Sequence, residues 1–514
     1  MRGNPALRLS IAATAGLVSL GLLVQGCGSG GAGGTTGGAA AKPGGTLNIG
    51  IPGDPNSLTP ANSLTGVDES MQINETLFRQ DESGKMVPLL AEGMSVSPDA
   101  LTYTITLKQG IDFSTGAPMT SKDVVFSIDA ARKSLYYSGL YESIANVSAP
   151  SKFKVQIKTA KPVPAMEAIL AAWVTGIVPD NYGGVTEKVF SEHPVGTGPF
   201  KVKSWKRGEA LTLVRNNGYW QDGQPLLKEV VFRVMPNDLS RVAQLQGGNI
   251  DADFRPPFAQ IPSLEQAGFK RKASMSISAD MLLNENIPLF KNPRVREAID
   301  LAIDRNGINQ AALRGTGQVA GSFLTPVVPL FDSSIKAPQQ DLDKAKSLVA
   351  EAVKEGVSPK FTLISWAGET YSTVASQVIQ QDLAEIGLTV SLEPIDETAA
   401  LGEVEEGQFQ ASMTEYYSAV NDPSELTTYV LTYLGKPAGA DLTSLNDLAA
   451  RAAAEVDPAR REALYSELQA SIANERFLIP LTYAPEGVML ASGIEGLEQT
   501  PLTNIYLGKA GWSS

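Results

Sequence analysis

Residues 87–127 read VPLLAEGMSVSPDALTYTITLKQGIDFSTGAPMTSKDVVFS. Within this stretch Tyr103, Ile105 and Leu107 alternate with Thr102, Thr104 and Thr106. That two-residue period predicts a strand with one buried and one solvated face. Thr120 stands where a helix N-cap would, and Asp123 lies three positions on. Val124, Val125 and Ile128 then supply an apolar stripe. A second alternating run follows, with Phe153, Val155 and Ile157 set between Lys152, Lys154, Gln156 and Lys158. Two half-wet strands with a helix between them make a small α+β unit.

Outward from this unit the chain is mixed α/β. Thr46 to Ile51 alternates as a strand, Pro52 to Pro60 is a turn-rich loop, and residues 71–78 have a short helical pattern. Downstream, 200–202 and 211–213 suggest a hairpin around Arg207-Gly208. Val230 to Val234 is an apolar strand, and Leu239 to Gln246 a helix stopped by Gly247-Gly248. The second half of the chain is richer in helices. Asn292 caps Pro293, with Val295, Ile299 and Ile303 at four-residue spacing. Leu342, Ala345, Leu348, Val349 and Ala352 form another stripe. A helix through Ile379, Leu383 and Ile386 ends at Gly387 and leads into the alternating Leu388-Val390-Leu392. Asp457-Pro458 starts a further helix on Leu464, Leu468 and Ile472. This alternation predicts βα-type architecture.

A length of 514 residues is too great for one ordinary core, so two or three domains are expected. The net charge of −13 disfavours nucleic acid and anionic lipid as primary partners. One Cys and one His exclude an intramolecular disulfide, a Cys-His pair and any multi-His metal site. His193, in Glu192-His193-Pro194, is expected on a solvent-facing loop, and no G-x-S-x-G nucleophile elbow is present. Asp251-Ala252-Asp253 lacks calcium-loop spacing. The Gly-Lys pairs at 84, 435 and 508 are never followed by Ser or Thr, as a phosphate-binding loop would need. These absences predict a protein that is not an enzyme and uses no cofactor or metal. A secreted hydrolase is the disfavoured rival.

The first residues have the pattern of an export signal. Arg2 and Arg8 precede an apolar run from Leu9 to Val24, which is short for a membrane span. It ends at Val24-Gln25-Gly26-Cys27, which resembles a bacterial lipobox, although Gln25 is larger than the usual residue two before the cysteine. The expectation is a signal peptide at 1–26, lipidation of Cys27, and a Gly-rich tether at 27–43. The protein would then be held at the outer face of the cytoplasmic membrane. Aromatic side chains suited to ligand walls occur at Tyr136-Tyr137, Tyr141, Trp366 and Tyr416-Tyr417.

Several strings recur in a fixed order. They are GGTLNIG at 44–50, DPNSL at 54–58, the stretch 87–127, GTGPF at 196–200, RNNGYW at 215–220, GNIDAD at 248–253, NPRVREAIDLAIDR at 292–305 and NDP at 421–423. Over residues 44–510 the chain resembles the oligopeptide/dipeptide-binding family, family 5, of bacterial extracellular solute-binding proteins of ABC transporters. The resemblance implies a two-lobed periplasmic-binding-protein fold (type II) with an additional small α+β domain. Lobe one would hold 44–76, 175–278 and 483–514, the small domain 77–174, and lobe two 279–482.

The resemblance also implies a monomer that takes a small-molecule or peptide ligand between its lobes and delivers it to ABC permease subunits with a cytoplasmic ATPase. Candidate wall residues carried over are Thr65, Gly66 and Asp68 in lobe one, and Tyr136 and Tyr137 in the small domain. Ser278 and Met281 lie at the crossover, and Trp366, Tyr416, Tyr417, Ser418 and Asn421 in lobe two. Peptide-binding members hold the peptide amino terminus with an acid shortly before the Asn-Asp/Glu-Pro string, where this chain has Ala419. The arginines some relatives use match Val404 and Met413. No Asp or Arg occurs from Gln410 to Asn421, and Glu415 is the available substitute for an amine ligand. This leaves two cargoes open: an oligopeptide or peptide-like solute, or an uncharged solute such as an oligosaccharide.

Overall fold

The computed structural model describes residues 41–513 except Leu64, Leu135 and Tyr136. Cys27 and the expected signal, the tether up to residue 40, and the candidate Tyr136 lie outside the described residues.

Two strands, Lys270–Leu283 and Leu478–Leu490, pair antiparallel along most of their length. The second is buried throughout and contains Pro480 and Pro485, so it has neither the alternation nor the unbroken donors of an ordinary strand. The register shifts between Ala279 and Asp280, and again between Ser274 and Ile277. Each shift falls opposite one of the prolines, so the missing N–H groups coincide with the irregularities that need none.

On one side of this pair stands a half-sheet of Ala252–Phe254, Thr46–Ile51, Glu229–Val234, Ala210–Arg215 and Phe200–Lys206. It is joined through residues 488–490. On the other side stand Ala411–Tyr417, Lys360–Trp366 and Thr389–Ile395, joined through residues 277–283. The two strands therefore run through both halves, and their pairing is interrupted between the two regions of contact, at 274–277 and 484–486.

Both faces of the second half-sheet are covered. One core holds Ala279, Met281 and Met413 under helices such as Pro293–Ala302 and Thr370–Glu385. The other holds Leu282, Trp366 and Tyr416 under Thr443–Ala454 and Pro458–Glu475. Apolar residues on both faces follow from this double cover.

The small unit is a separate four-stranded sheet in the order Ala91–Val96, Thr102–Leu107, Lys154–Thr159, Ile144–Ser151. The two alternating runs are neighbours in it. Tyr103, Ile105, Leu107, Val155 and Ile157 are buried, while the threonine face stays partly open. Helix Ser121–Ala131 begins where the cap predicts, with Thr120 N donating to Asp123 Oδ2 at 2.7 Å. The helix expected at 71–78 instead occupies Val67–Met71. Gly66, in the left-handed region at φ 87°, starts it early. Asn74 then turns its side-chain amide onto the Leu58 carbonyl at 3.2 Å rather than favouring a longer helix.

Gly487 lies beside the interruption in the long strand pair, and a Cβ there would meet the Lys272 carbonyl oxygen at 2.0 Å. A Gly487→Ala variant is therefore expected to lose about 1–3 kcal/mol of stability by overpacking backbone against backbone. The denaturation midpoint checks this, and an unchanged midpoint would contradict the close approach.

Candidate functional site

Strand direction fixes where the functional loops emerge. Ala252–Phe254 runs antiparallel to Leu478–Leu490, and Thr46–Ile51 and Glu229–Val234 run parallel to Ala252–Phe254 or to each other. The carboxyl ends of these three strands therefore point toward the second half. Ala411–Tyr417 runs antiparallel to Lys270–Leu283, with Lys360–Trp366 and Thr389–Ile395 parallel to its direction. Their carboxyl ends point back toward the first half. Two sets of carboxyl-end loops thus face each other across a crevice, the usual ligand position in α/β sheets.

In the first half the loop after Ile51 is tied by reciprocal bonds. Thr65 N donates to Asn56 Oδ1 at 2.9 Å, and Asn56 N donates to Thr65 Oγ1 at 3.0 Å. Gly66 is required here, since a Cβ would lie 2.3 Å from Pro55 Cβ. Asp68 accepts from Ile505 N at 3.1 Å, and burial raises its pKa to about 6 against the pull of Arg255. Burial lifts its buried neighbour Glu69 to about 7, with the Asp68 charge adding to the rise. Arg255 follows Phe254 at φ 64°, a strained conformation for a non-glycine residue. Its side chain is half exposed and pairs with Glu486 at 2.7 Å. Glu486, Tyr417, Asp68 and Glu69 all act on it, and Glu486 foremost holds it more firmly charged than an ordinary arginine.

In the second half the sequence candidates separate into two groups. Tyr417 and Asn421 reach other elements, whereas Ser418 is buried and bonds within its own segment, to the Val420 carbonyl and to Glu425. The Tyr417 ring lies 6.5 Å from Trp173, which in turn meets Tyr137 in a T-shaped contact at 5.6 Å. Asn421 Nδ2 donates to the Gly84 carbonyl at 3.0 Å, bridging to the small unit. Met281, Trp366 and Tyr416 do not form an open wall. They are buried in the two cores that flank the half-sheet, and Tyr416 donates its hydroxyl to the Phe323 carbonyl at 3.2 Å. Ser278 is also fully buried. The double cover of the sheet is the reason: on the strands that carry these residues, most positions before the carboxyl ends are buried under one flanking core or the other.

Ala419, in the position where the resemblance places a ligand acid, is an apolar contact. With Val420 it is buried in the core of the small unit. The surrounding backbone is satisfied internally. Glu425 Oε2 accepts from Ser418 Oγ, Ala419 N and Val420 N at 2.7, 2.8 and 3.0 Å. Asp422 caps helix Pro423–Thr428 and takes both of its oxygens to Arg461 at 2.9 and 2.8 Å. The Asn-Asp-Pro string therefore builds the loop.

Although charge is scarce along 410–421, the fold surrounds that segment with acids. Glu415 feels Glu369, Glu397 and Asp280, and burial first, then these charges, holds its carboxyl well above the ordinary range. Glu369 is the N-cap of Thr370–Glu385, accepting from Ser372 N at 2.6 Å, and Asp238 of the first half acts on it. Burial raises the Glu397 pKa, with Asp396 adding to it. Apart from Glu415, sequence reasoning passed over these residues. Glu369, Glu397 and Asp238 belong to helix caps and first turns after strands, and that capping pattern was the legible signal, whereas Asp280 lies inside the crossover strand and carries none.

The model of the "Bacterial extracellular solute-binding proteins, family 5 Middle" matches residues 85–437. The glutathione-binding protein GsiB of Salmonella paratyphi A is 31% identical over 428 residues, covering 79% of this chain and 82% of the relative. The substrate-binding protein CtaP of Listeria monocytogenes superposes with a TM-score of 0.81 at 27% identity, covering 92% of this chain and 100% of that one. The periplasmic binding protein DppA of Helicobacter pylori, solved with the peptide STSA, gives a TM-score of 0.81 at 24% identity over 92% and 99%. The α/β fold is the two-lobed type II architecture of these structures.

Glu69 gives this crevice a pH signature. Its folded pKa of about 7 stands above its ordinary 4.5, so folding favours the protonated form. The stability it contributes is present below about pH 4.5 and is lost as pH rises through about 7. A Glu69→Gln variant should match the parent near pH 4.5 and exceed its stability by about 3 kcal/mol at pH 8. Denaturation across that range checks this, and a pH-independent difference would contradict it.

Proposed function

The chain belongs to family 5 of the bacterial extracellular solute-binding proteins, and from that premise we propose that it captures a peptide-like solute in the crevice and delivers it to an ABC permease. The observation that carries this reading is the facing of two sets of carboxyl-end loops across a single interrupted strand pair. The printed ligands of relatives, glutathione for GsiB and the peptide STSA for DppA, support a peptide-like cargo.

Mechanistically, the solute must touch both halves and favour their approach, because equal affinity for open and closed forms shifts nothing. The contacts that register closure are Asn421 on Gly84 and the Tyr137–Trp173–Tyr417 ring series. Their completion presents one continuous surface for the permease to read. The chain acts as a monomer held outside the cell by a lipid on Cys27, and the solute leaves chemically unchanged. The only histidine, His193, is exposed at a helix C-terminus. An uncharged solute is the weaker reading, since its motive was a lack of charge that holds along the chain but not in space.

Two measurements test the proposal. Denaturing the purified full chain should release a peptide-like solute detectable by mass spectrometry; an emptied protein that binds no member of a random peptide pool would overturn the cargo. A Cys27→Ser chain should move from the membrane fraction to the soluble fraction, and retention in the membrane would overturn the anchor.

A further inference from the structure

The loops at the facing carboxyl ends have a one-sided charge. Residues 52–71, 235–238, 367–369, 396–397 and 418–425 contain Asp54, Asp68, Glu69, Asp238, Glu369, Asp396, Glu397, Asp422 and Glu425, and no lysine or arginine. The one basic residue of the set is Arg255 at the end of Ala252–Phe254, and Glu486 already neutralises it. Asp54 is matched by Arg207 at 3.7 Å and Asp422 by Arg461 at 2.8 Å. Asp238 is matched by Arg241 at 2.9 Å, whereas among the described residues no such partner meets Glu369, Glu397 or Glu415 around the carboxyl end of Ala411–Tyr417.

A second observation points the same way. Glu415 Oε1 is sealed from water and has no hydrogen-bond partner. On the adjoining strand, on the opposite face of the sheet, Asp280 is also fully buried and neither carboxylate oxygen closes a hydrogen bond; burial raises its pKa to about 8, and the nearby Ser278 and Tyr416 hydroxyls offset only part of that rise. Buried carboxyls left without partners are costly unless a partner arrives. Among the described residues no three acidic side chains converge as ligands of a metal ion would. The spacing therefore suits an organic cation, such as an ammonium or guanidinium with several donors.

We propose that the solute is cationic, and that its charged group is received by Glu415 with Glu369 and Glu397 flanking it. This rests on the solute-binding reading above and narrows its ligand class. It also moves the amine-binding acid from position 419, here alanine, to a different strand position. The charged groups at the same strand ends as Glu415 are Glu369 at the start of helix Thr370–Glu385 and Glu397 at the start of helix Glu397–Glu405, both acidic; Asp280, on the crossover strand, adds a like charge from the opposite face of the sheet. Burial and the neighbouring carboxylates hold Glu415 above the ordinary carboxylate range, and an arriving ammonium or guanidinium draws it back toward its charged form, any proton displaced passing to the buffer.

The test is isothermal titration of the full chain with three peptide pools of equal length and free termini, enriched in Lys/Arg, in uncharged residues, or in Asp/Glu. The basic pool should bind about tenfold or more tighter than the uncharged pool, as one charge-assisted contact allows. It should also release protons, read from the change in heat between buffers of different ionisation enthalpy. A Glu415→Gln chain should bring the ratio of basic to uncharged affinity toward one and suppress the proton release. Equal binding of all pools, or a preference that survives Glu415→Gln, would overturn the cationic ligand while leaving the solute-binding reading in place. Binding of no pool would overturn the peptide-like cargo and the cationic inference together.

Discussion

The pairing of Lys270–Leu283 with Leu478–Leu490 determines where everything else can stand, because both strands belong to both halves. Each neighbouring strand takes its direction from this pair, and the parallel neighbours inherit it in turn. The carboxyl ends of the two half-sheets are thereby aimed at each other. A crevice at this place is a consequence of strand polarity, before any side chain is considered. The same pair is interrupted between the halves, where Pro485 removes a backbone donor and Gly487 admits a close backbone approach. A stiff connection with one weak point is what a two-lobed receptor requires if the lobes are to move as units.

Within that frame, burial and charge divide the work. The carboxylates that support the loops are matched, as with Glu425 under 418–420 and Asp422 on Arg461. Groups facing the crevice are mismatched in a single direction, toward excess acid. The contrast is informative because a low dielectric makes an unmatched carboxyl expensive, and the loops nearby show that this chain satisfies such groups elsewhere. The strained backbone of Arg255 fits the same division, holding the lone basic side chain against Glu486.

The small unit was the most legible part of the sequence. Tyr103, Ile105 and Leu107 alternate because one face of their sheet is wet, and Thr120 with Asp123 caps the helix locally. The crossover strands were not legible, since burial on all sides removes alternation and two prolines argue against a strand. The family resemblance placed the cleft at 416–421 but could not separate Tyr417, which reaches Trp173, from Tyr416 one residue earlier, which is buried in the core. That distinction depends on which face of a doubly covered sheet a residue takes. The acids were hidden for a different reason. Glu369, Glu397 and Glu415 lie in separate segments, and only the parallel strand order brings them together. Trp173 was likewise invisible as a partner of Tyr137 and Tyr417.

The central claim is that a solute draws the two halves together about the interrupted strand pair. Small-angle X-ray scattering of the full chain, first stripped of solute and then saturated with the solute it releases, tests this directly. The account predicts a smaller radius of gyration and a shorter maximum dimension in the saturated sample. Identical scattering profiles with and without bound solute would contradict it.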